Sequence, residues 1–464
     1  MNFLEKRSSF NYLCILLYSL SFFQVFLFLN SYFWDDWYTY FDQSSYQIRH
    51  RIELSGFNPA RLALEGFLTE HFLAGFRISI FVFYPIAAYG LYRALRNSPF
   101  LTLREVRAVV LLFLLAPVVS SRSALILFMY TSCMAAFFVG WGLYQSSQRT
   151  TTRVIGLGCL IYSFDTASLI PFILIPVVYS ALVARNSGVN LVTWAKRRLD
   201  LLAIGPVYWF VEPAINPKIF AERDSYYVPT LQGVSRGLIF LLPLLVIVYY
   251  GMKLRKWRYA THRGHIQLLV GLFAIWLGAL PYITIGHFAS IQDWISGFTP
   301  GLSDWSSRHQ LLLPLGLSIA VLGIANVLGN QFFKSIILTI SLLFVCLNFS
   351  FMQEYYLDSL KQEEIIAEAA KSDLLDESNF LLVNDQAIRF NARGRSVRTF
   401  EWDRILRGNS KLNKTTEISR FIDCTSFRPD ALVTITADYG RLRALLTRHV
   451  GVRLEVLPVT ICHD

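Results

Sequence analysis

NYLCILLYSLSFFQVFLFLNSYFWDDW, residues 11–37, carries a nearly unbroken apolar run and then two adjacent carboxylates, Asp35 and Asp36, set between Trp34 and Trp37. The run, from about residue 10 to residue 30, has the roughly 20 residues that cross ~30 Å of hydrocarbon. Lys6 and Arg7 stand before it, as they would in a signal peptide, yet it ends in SYFWDD with no small-residue cleavage site. It therefore reads as a retained first span, with the acidic pair just beyond the membrane.

Runs of similar character follow at about 72–94, 106–120, 123–144, 151–164, 166–184, 199–212, 235–252, 266–285, 310–329 and 332–350, so about eleven spans are expected. The composition agrees. Of 464 residues, 54% are hydrophobic and only 16% charged, and the mean hydropathy is +0.42, a balance that belongs to a polytopic membrane protein. The runs at 106–120, 151–164 and 199–212 are short, which predicts that they stop at a cavity inside the protein. From Gln353 the composition changes: KQEEIIAEAAKSDLLDES has helical periodicity and FLLVND reads as a strand. TFEWDRILRG is a second helical pattern, and DALVTITADYGRLRALLTRHVGVRLEVLPV reads as strand, helix, strand. The expected fold class is a polytopic all-α membrane domain, residues 1–350, followed by a small α/β domain, residues 351–464.

The net charge of +11 divides unevenly among the loops. With the N-terminus inside, the dense basic clusters RALRNSPFLTLREVR, QRTTTR, ARNSGVNLVTWAKRR and KLRKWRYATHRGH, with Lys334, all fall on the cytoplasmic side. This accounts for the positive charge without nucleic acid. The opposite loops hold FWDDW, SSRS (120–123), FDTAS (164–168), VEPAINPKIFAERDSYY (211–227) and HFASIQDWISGFTPGLSDWSSRHQ (287–310). An odd number of spans sends the C-terminal domain out as well, making it extracytoplasmic. Of the cysteines, Cys14, Cys133, Cys159 and Cys346 lie in apolar spans and read as small core residues. Cys424 and Cys462 lie in the outer tail, where a disulfide between them is an open alternative.

The outer acids and cations are the candidates for chemistry. Asp35 or Asp36 can act as a general base while its neighbour raises its pKa or orients a substrate. The alternative is a helix cap inside an interfacial aromatic belt formed by Trp34 and Trp37. Acid beside tryptophan recurs at Asp293-Trp294 and Asp304-Trp305. An indole face packs on a sugar ring while a carboxylate accepts from hydroxyls, so the repeated pairing suits carbohydrate. Arg122, and Arg308 with His309, place cations at the depth of a lipid phosphate, and a guanidinium fork matches phosphate oxygens. Asp165 breaks an otherwise apolar stretch, facing a polar cavity or sitting in a hairpin turn, and Glu212 in WFVEPAINP is similar. No Walker-type loop, H-E-x-x-H or paired CxxC is present, which removes the motifs for ATP-driven transport and for zinc hydrolysis.

An acidic pair directly after the first span, many spans, Arg308-His309 entering a late span and a terminal outer α/β domain together resemble the GT-C superfamily of integral-membrane glycosyltransferases. The chain looks like a bacterial member, similar in outline to lipopolysaccharide-modifying and mannosyl- or arabinosyl-transferring relatives. The resemblance implies inverting transfer from a polyprenyl-phosphate sugar donor to a hydroxyl of a glycan or lipid-linked acceptor, at the periplasmic face of the bacterial inner membrane. It also implies Asp35 or Asp36 as base, Arg308 with Arg122 and His309 on the departing phosphate, and Trp34, Trp37, Asp165, Asp293, Trp294, Asp304 and Trp305 near substrate. Some relatives hold a divalent metal at the acidic site and others do not. The rival readings are a polymerase or ligase of lipid-linked oligosaccharides, and a secondary transporter or lipid flippase. The transporter would need ionisable residues near the midplane and paired broken helices, and the acids gather at one face instead.

Overall fold

The computed structural model of the chain describes residues 4, 7–39, 59–147, 149–215, 230–235, 237, 259–285, 310–378, 380–407, 417–419 and 430–458. Among them six helices are long and apolar enough to cross a membrane: Ser8–Leu27, Ala63–Leu95, Leu127–Ser146, Leu169–Asn186, Arg263–Thr284 and Asn330–Ala369. The apolar run expected at 235–252 lies almost wholly outside the described residues, as do Cys424 and Cys462. Cys14, Cys133, Cys159 and Cys346 are free thiols.

In chain order the helices of the apolar part are α1 (Arg7–Phe22), α2 (Asp35–Thr39), α3 (Pro59–Leu95), α4 (Leu103–Leu115), α5 (Leu127–Ser146) and α6 (Thr150–Ser163). They continue as α7 (Leu169–Phe172), α8 (Leu174–Asn186), α9 (Leu191–Arg197), α10 (Leu199–Ile215), α11 (Tyr259–Thr284), α12 (Leu313–Val327) and α13 (Asn330–Ala369). Helix α3 begins well before the apolar run at 72–94 and changes direction at Phe72, whose φ of −143° and ψ of 44° are not helical. The stretch before that kink contains Glu65, Glu70 and His71, so hydropathy alone starts the helix too late.

The short run at 106–120 has a physical reason different from the expected cavity. Helix α4 starts on a capping box, in which Thr102 Oγ1 accepts from the Glu105 amide and Glu105 Oε2 accepts from the Thr102 amide. Every residue from Glu105 to Leu115 is then buried. A helix buried on all sides has no lipid thickness to match.

Close backbone approach sets the pairing of the helices around it. A Cβ on Gly90 of α3 would lie 2.5 Å from the Phe138 carbonyl of α5, and one on Gly140 of α5 would lie 2.7 Å from the Gly156 oxygen of α6. Helices α11 and α12 meet along a longer seam in which Gly264, Gly271 and Gly278, seven residues apart, face α12 and its own Gly316 and Gly323. Without a hydrophobic driving force between helices in lipid, such small residues are what permit dense contact. A polar network locks the register of three helices at the start of α4. Arg263 pairs with Glu105, Gln267 Nε2 and Asn326 Nδ2 donate to Glu105 Oε1 at 3.3 and 2.7 Å, and Asn326 Nδ2 also donates to Gln267 Oε1 at 2.6 Å. Glu105→Ala should cost about 2–4 kcal/mol, because it strips the shared acceptor from the buried Gln267 and the half-buried Arg263 and Asn326. The loss is to be read as a lowered unfolding midpoint in detergent that Glu105→Gln partly restores.

Helix α13 is continuous through 40 residues, about 60 Å of rise, and carries the chain from the apolar bundle into the terminal domain without a break at residue 350. Beyond it lie α14 (Asp373–Glu377), β1 (Phe380–Asp385), α15 (Thr399–Arg407), β2 (Glu417–Ser419), β3 (Ala431–Ala437), α16 (Arg441–Thr447) and β4 (Val452–Pro458). The strands form one sheet in the order β2-β1-β3-β4, with β1 parallel to both β2 and β3 and β4 antiparallel to β3. On β3, Ala431, Val433 and Ile435 point inward and alternate with half-exposed neighbours, as a strand with one covered face requires. Their core includes Trp402 and Ile405 of α15, Leu357 and Ile365 of α13, and Trp37 from the segment after the first span.

Candidate functional site

The two carboxylates of the opening segment have different environments. Asp36 is fully buried. Its Oδ2 accepts from the amides of Leu125, at 2.9 Å, and Phe33, at 3.2 Å, and its Oδ1 accepts from the amide of Ile126 at 3.1 Å. The Leu125 and Ile126 amides directly precede α5, which has no side-chain cap of its own. Asp36 therefore caps that helix from 90 residues away and holds the turn at 120–126 to the end of the first span. Burial pushes its carboxyl up to about 7, against the pull of Arg77 and of the three amide donors, which favour the charged form.

Arg77, in α3, completes this anchor and is the residue the sequence reading missed. It is buried, and its guanidinium donates to the carbonyls of Leu29, at 3.1 Å, Ser31 and Ser123. Those three carbonyls lie past the end of the first helix and in the turn before α5, where backbone oxygens have no helical partner. One cation thus closes the same junction that Asp36 closes from the amide side. The signal was present: a single Arg inside the apolar run FRISIFVFYP is costly in a membrane and needs a partner.

Asp35, by contrast, is half-buried at the start of α2. The residue before it, Trp34, has φ of 50°, a left-handed conformation that a bulky L-residue adopts only under constraint. Its ring is buried, edge-on to Tyr355 at 5.6 Å between centroids, with the Arg395 guanidinium 5.1 Å from its centre. Trp37 is buried in the core of the α/β domain. Neither indole offers a face to solvent, so the reading of these two rings as a sugar platform, and equally as an interfacial belt, gives way to one of packing.

Arg122 is buried at 1% exposure. Its guanidinium lies 3.6 Å from the centre of the Tyr84 ring and 4.5 Å from that of Phe22, and it donates to the Ala116 carbonyl at 3.5 Å. As placed, it is a cation packed among aromatic rings and not one displayed to a headgroup phosphate. Asp165 is half-buried in the turn between α6 and α7, the hairpin position in which an acid near hydrocarbon is tolerated. Glu212 lies in the last turn of α10. Arg308, His309, Asp293, Trp294, Asp304 and Trp305 all lie outside the described residues.

Among the described residues no three His, Cys, Asp or Glu side chains converge on a point, and both Asp36 oxygens are already taken by amide protons. An apolar groove of about 470 Å³ does exist, between α7–α8 and α10, lined by Ile170, Leu174, Val177, Leu201, Leu202 and Pro206. It borders α10, one of the spans expected to be short, and Gly205 in its wall leaves room there, with Ile170 the nearest group at 3.9 Å from a Cβ position.

Comparison with protein-family models, with curated proteins and with solved structures gives no match to this chain.

Proposed function

We propose that the chain is a membrane glycosyltransferase that moves a sugar from a polyprenyl-phosphate donor to a hydroxyl of a glycan or lipid-linked acceptor, with inversion and with Asp35 as general base. The reading takes about eleven spans, N-terminus inside, in a bacterial inner membrane, with the Asp35 end facing the periplasm. The observation that carries it is the division of labour in the acidic pair. Asp36 is spent on the scaffold, and Asp35 is presented beside it at the start of a short helix on a constrained turn. A carboxylate fixed by its neighbours but left half-exposed has the geometry a base needs.

In the reaction Asp35 takes the proton from the acceptor oxygen as that oxygen bonds to the anomeric carbon. The bond from that carbon to the phosphate oxygen breaks, and the lipid phosphate leaves with both bonding electrons. Arg308 and His309 supply the positive charge for the leaving phosphate. The groove beside α10 suits the first isoprene units of the donor by its apolar lining. A transporter is disfavoured because Arg77, the buried cation of α3, is fastened to three carbonyls and is not placed to exchange a cargo.

The test uses the full chain in nanodiscs with a polyprenyl-phosphate hexose, read as release of lipid phosphate on adding acceptor glycan. Asp35→Asn should slow release by about 10²–10⁴-fold at unchanged folding. Undiminished turnover in Asp35→Asn removes Asp35 from the chemistry.

A further inference from the structure

The terminal α/β domain has a second use in this molecule besides its own fold. Its Arg395 is buried. Nη1 donates to Glu401 Oε2 at 2.6 Å, and Nε donates to Asp358 Oδ2 at 3.3 Å. Glu401 belongs to α15 and is fixed in turn by the Arg398 amide, at 3.0 Å on Oε1. Asp358 belongs to α13 and is fixed by Gln362, at 2.8 Å on Oδ1, and by the Ala392 amide, at 2.9 Å on Oδ2. Burial alone would weaken the charge on Arg395, but Glu401 and Asp358 outweigh it and hold the guanidinium firmly cationic. This fixed cation lies over Trp34, the residue with φ of 50° that directly precedes Asp35.

A second set of contacts ties the same segment to the domain. Tyr355 of α13 meets both Trp34 and Phe33 edge-on, at 5.6 and 5.0 Å. Ser31 and Ser359 share a hydrogen bond of 2.7 Å across 328 residues. Trp37, directly after the acids, is buried in the domain's own core. The acidic turn is thus gripped on both sides of Asp35 by groups from the C-terminal part of the chain. A left-handed Trp persists only where its surroundings over-determine it, and here those surroundings include Tyr355 of α13 and Arg395 of the domain it leads into.

We infer that the α/β domain is a clamp that holds the Asp35 turn in its working conformation, with Arg395 and Trp34 as positioning residues. The role in chemistry rests on the glycosyltransferase reading; the clamp itself does not. The ring of Trp34 and the fork of Arg395 hold the residue directly before Asp35, beside the Tyr355, Ser31–Ser359 and Trp37 contacts. A substitution of either loosens the Asp35 turn without removing a group of the Asp36 and Arg77 anchor.

The experiment places a nitroxide label at Asp35→Cys in the full chain in nanodiscs and reads its mobility. In the otherwise native chain the label is immobilised. Adding Trp34→Leu, which removes the ring and leaves the Arg395 ion network whole, should reduce the immobilised fraction by about half or more on the nanosecond scale. Arg395→Gln should do the same, with Arg395→Lys intermediate because it keeps the charge and loses the fork. An unchanged spectrum in folded Trp34→Leu overturns the clamp. In the Asp35 chain, Trp34→Leu should lower kcat about tenfold with KM within about twofold. A loosened label with native kcat overturns the positioning role in chemistry, and loss of label immobilisation in a protein that transfers no sugar even when native supports the clamp while rejecting the glycosyltransferase reading.

Discussion

Asp36→Ala lowers the unfolding midpoint of the detergent-solubilised protein by the equivalent of about 3–5 kcal/mol, whereas Asp35→Ala leaves stability within about 1 kcal/mol of native. The asymmetry follows from burial. Removing Asp36 orphans the amides of the buried Phe33 and Leu125 and of the half-buried Ile126. Each buried donor left without an acceptor costs about 1–3 kcal/mol. It also strips α5 of the cap it receives from across the fold, and leaves the Arg77 charge beside three carbonyls without the nearby anion. Asp36→Asn should fall between, since its amide keeps one oxygen to accept from two of the three donors. Thermal unfolding followed by tryptophan fluorescence separates the variants, because Trp34 and Trp37 flank the site. Equal midpoints for Asp35→Ala and Asp36→Ala would show that the pair is not divided as described. The same two positions give the opposite order in turnover, where Asp35→Asn carries the loss with stability intact.

What could be read from the letters was set by how local each feature is. The terminal domain's FLLVND strand, the TFEWDRILRG helix and the strand, helix, strand ending in RLEVLP appear where periodicity puts them, because alternation and helical spacing are properties of neighbours. The brief β2 (Glu417–Ser419) went unread because three residues carry no period. The acidic pair was legible as special, but not which acid did what, since Asp36 is defined by amides 89 and 90 residues later. A lone Arg77 in an apolar run was legible as costly, but its partners were not, because they are carbonyls, which have no letter of their own. Trp34 and Trp37 look alike in sequence next to their acids, yet one is held beneath Arg395 and the other belongs to the core of a domain that begins some 300 residues on. The domain boundary at 350 marks a real change in composition and no change in structure, because a helix can leave an apolar environment without ending.

Gly271→Ala should be among the most damaging single-atom-group changes in the bundle, costing about 3 kcal/mol or more. A Cβ there would lie 2.4 Å from the Ala320 amide nitrogen and 2.7 Å from its Cα, and backbone cannot turn aside as a side chain can. Helices α11 and α12 would have to separate, and the seam they share leaves them no slack. On the facing helix, Gly316 and Gly323 stand 2.5 and 2.4 Å from the amides of Ile275 and Leu268 by the same measure. Separation also pulls Gln267 and Arg263 away from Glu105 and Asn326, so the polar lock at the start of α4 fails with the packing. Gly158 in α6 provides the control. Nothing lies within 4 Å of its Cβ position, and alanine there should be neutral or stabilise the helix by up to about 1 kcal/mol. If both alanine variants unfold at the same temperature in detergent, close backbone approach is not what holds α11 to α12. If Gly271→Ala alone falls, and Glu105→Ala adds less in its presence than in the native chain, the glycine seam and the polar lock act as one unit.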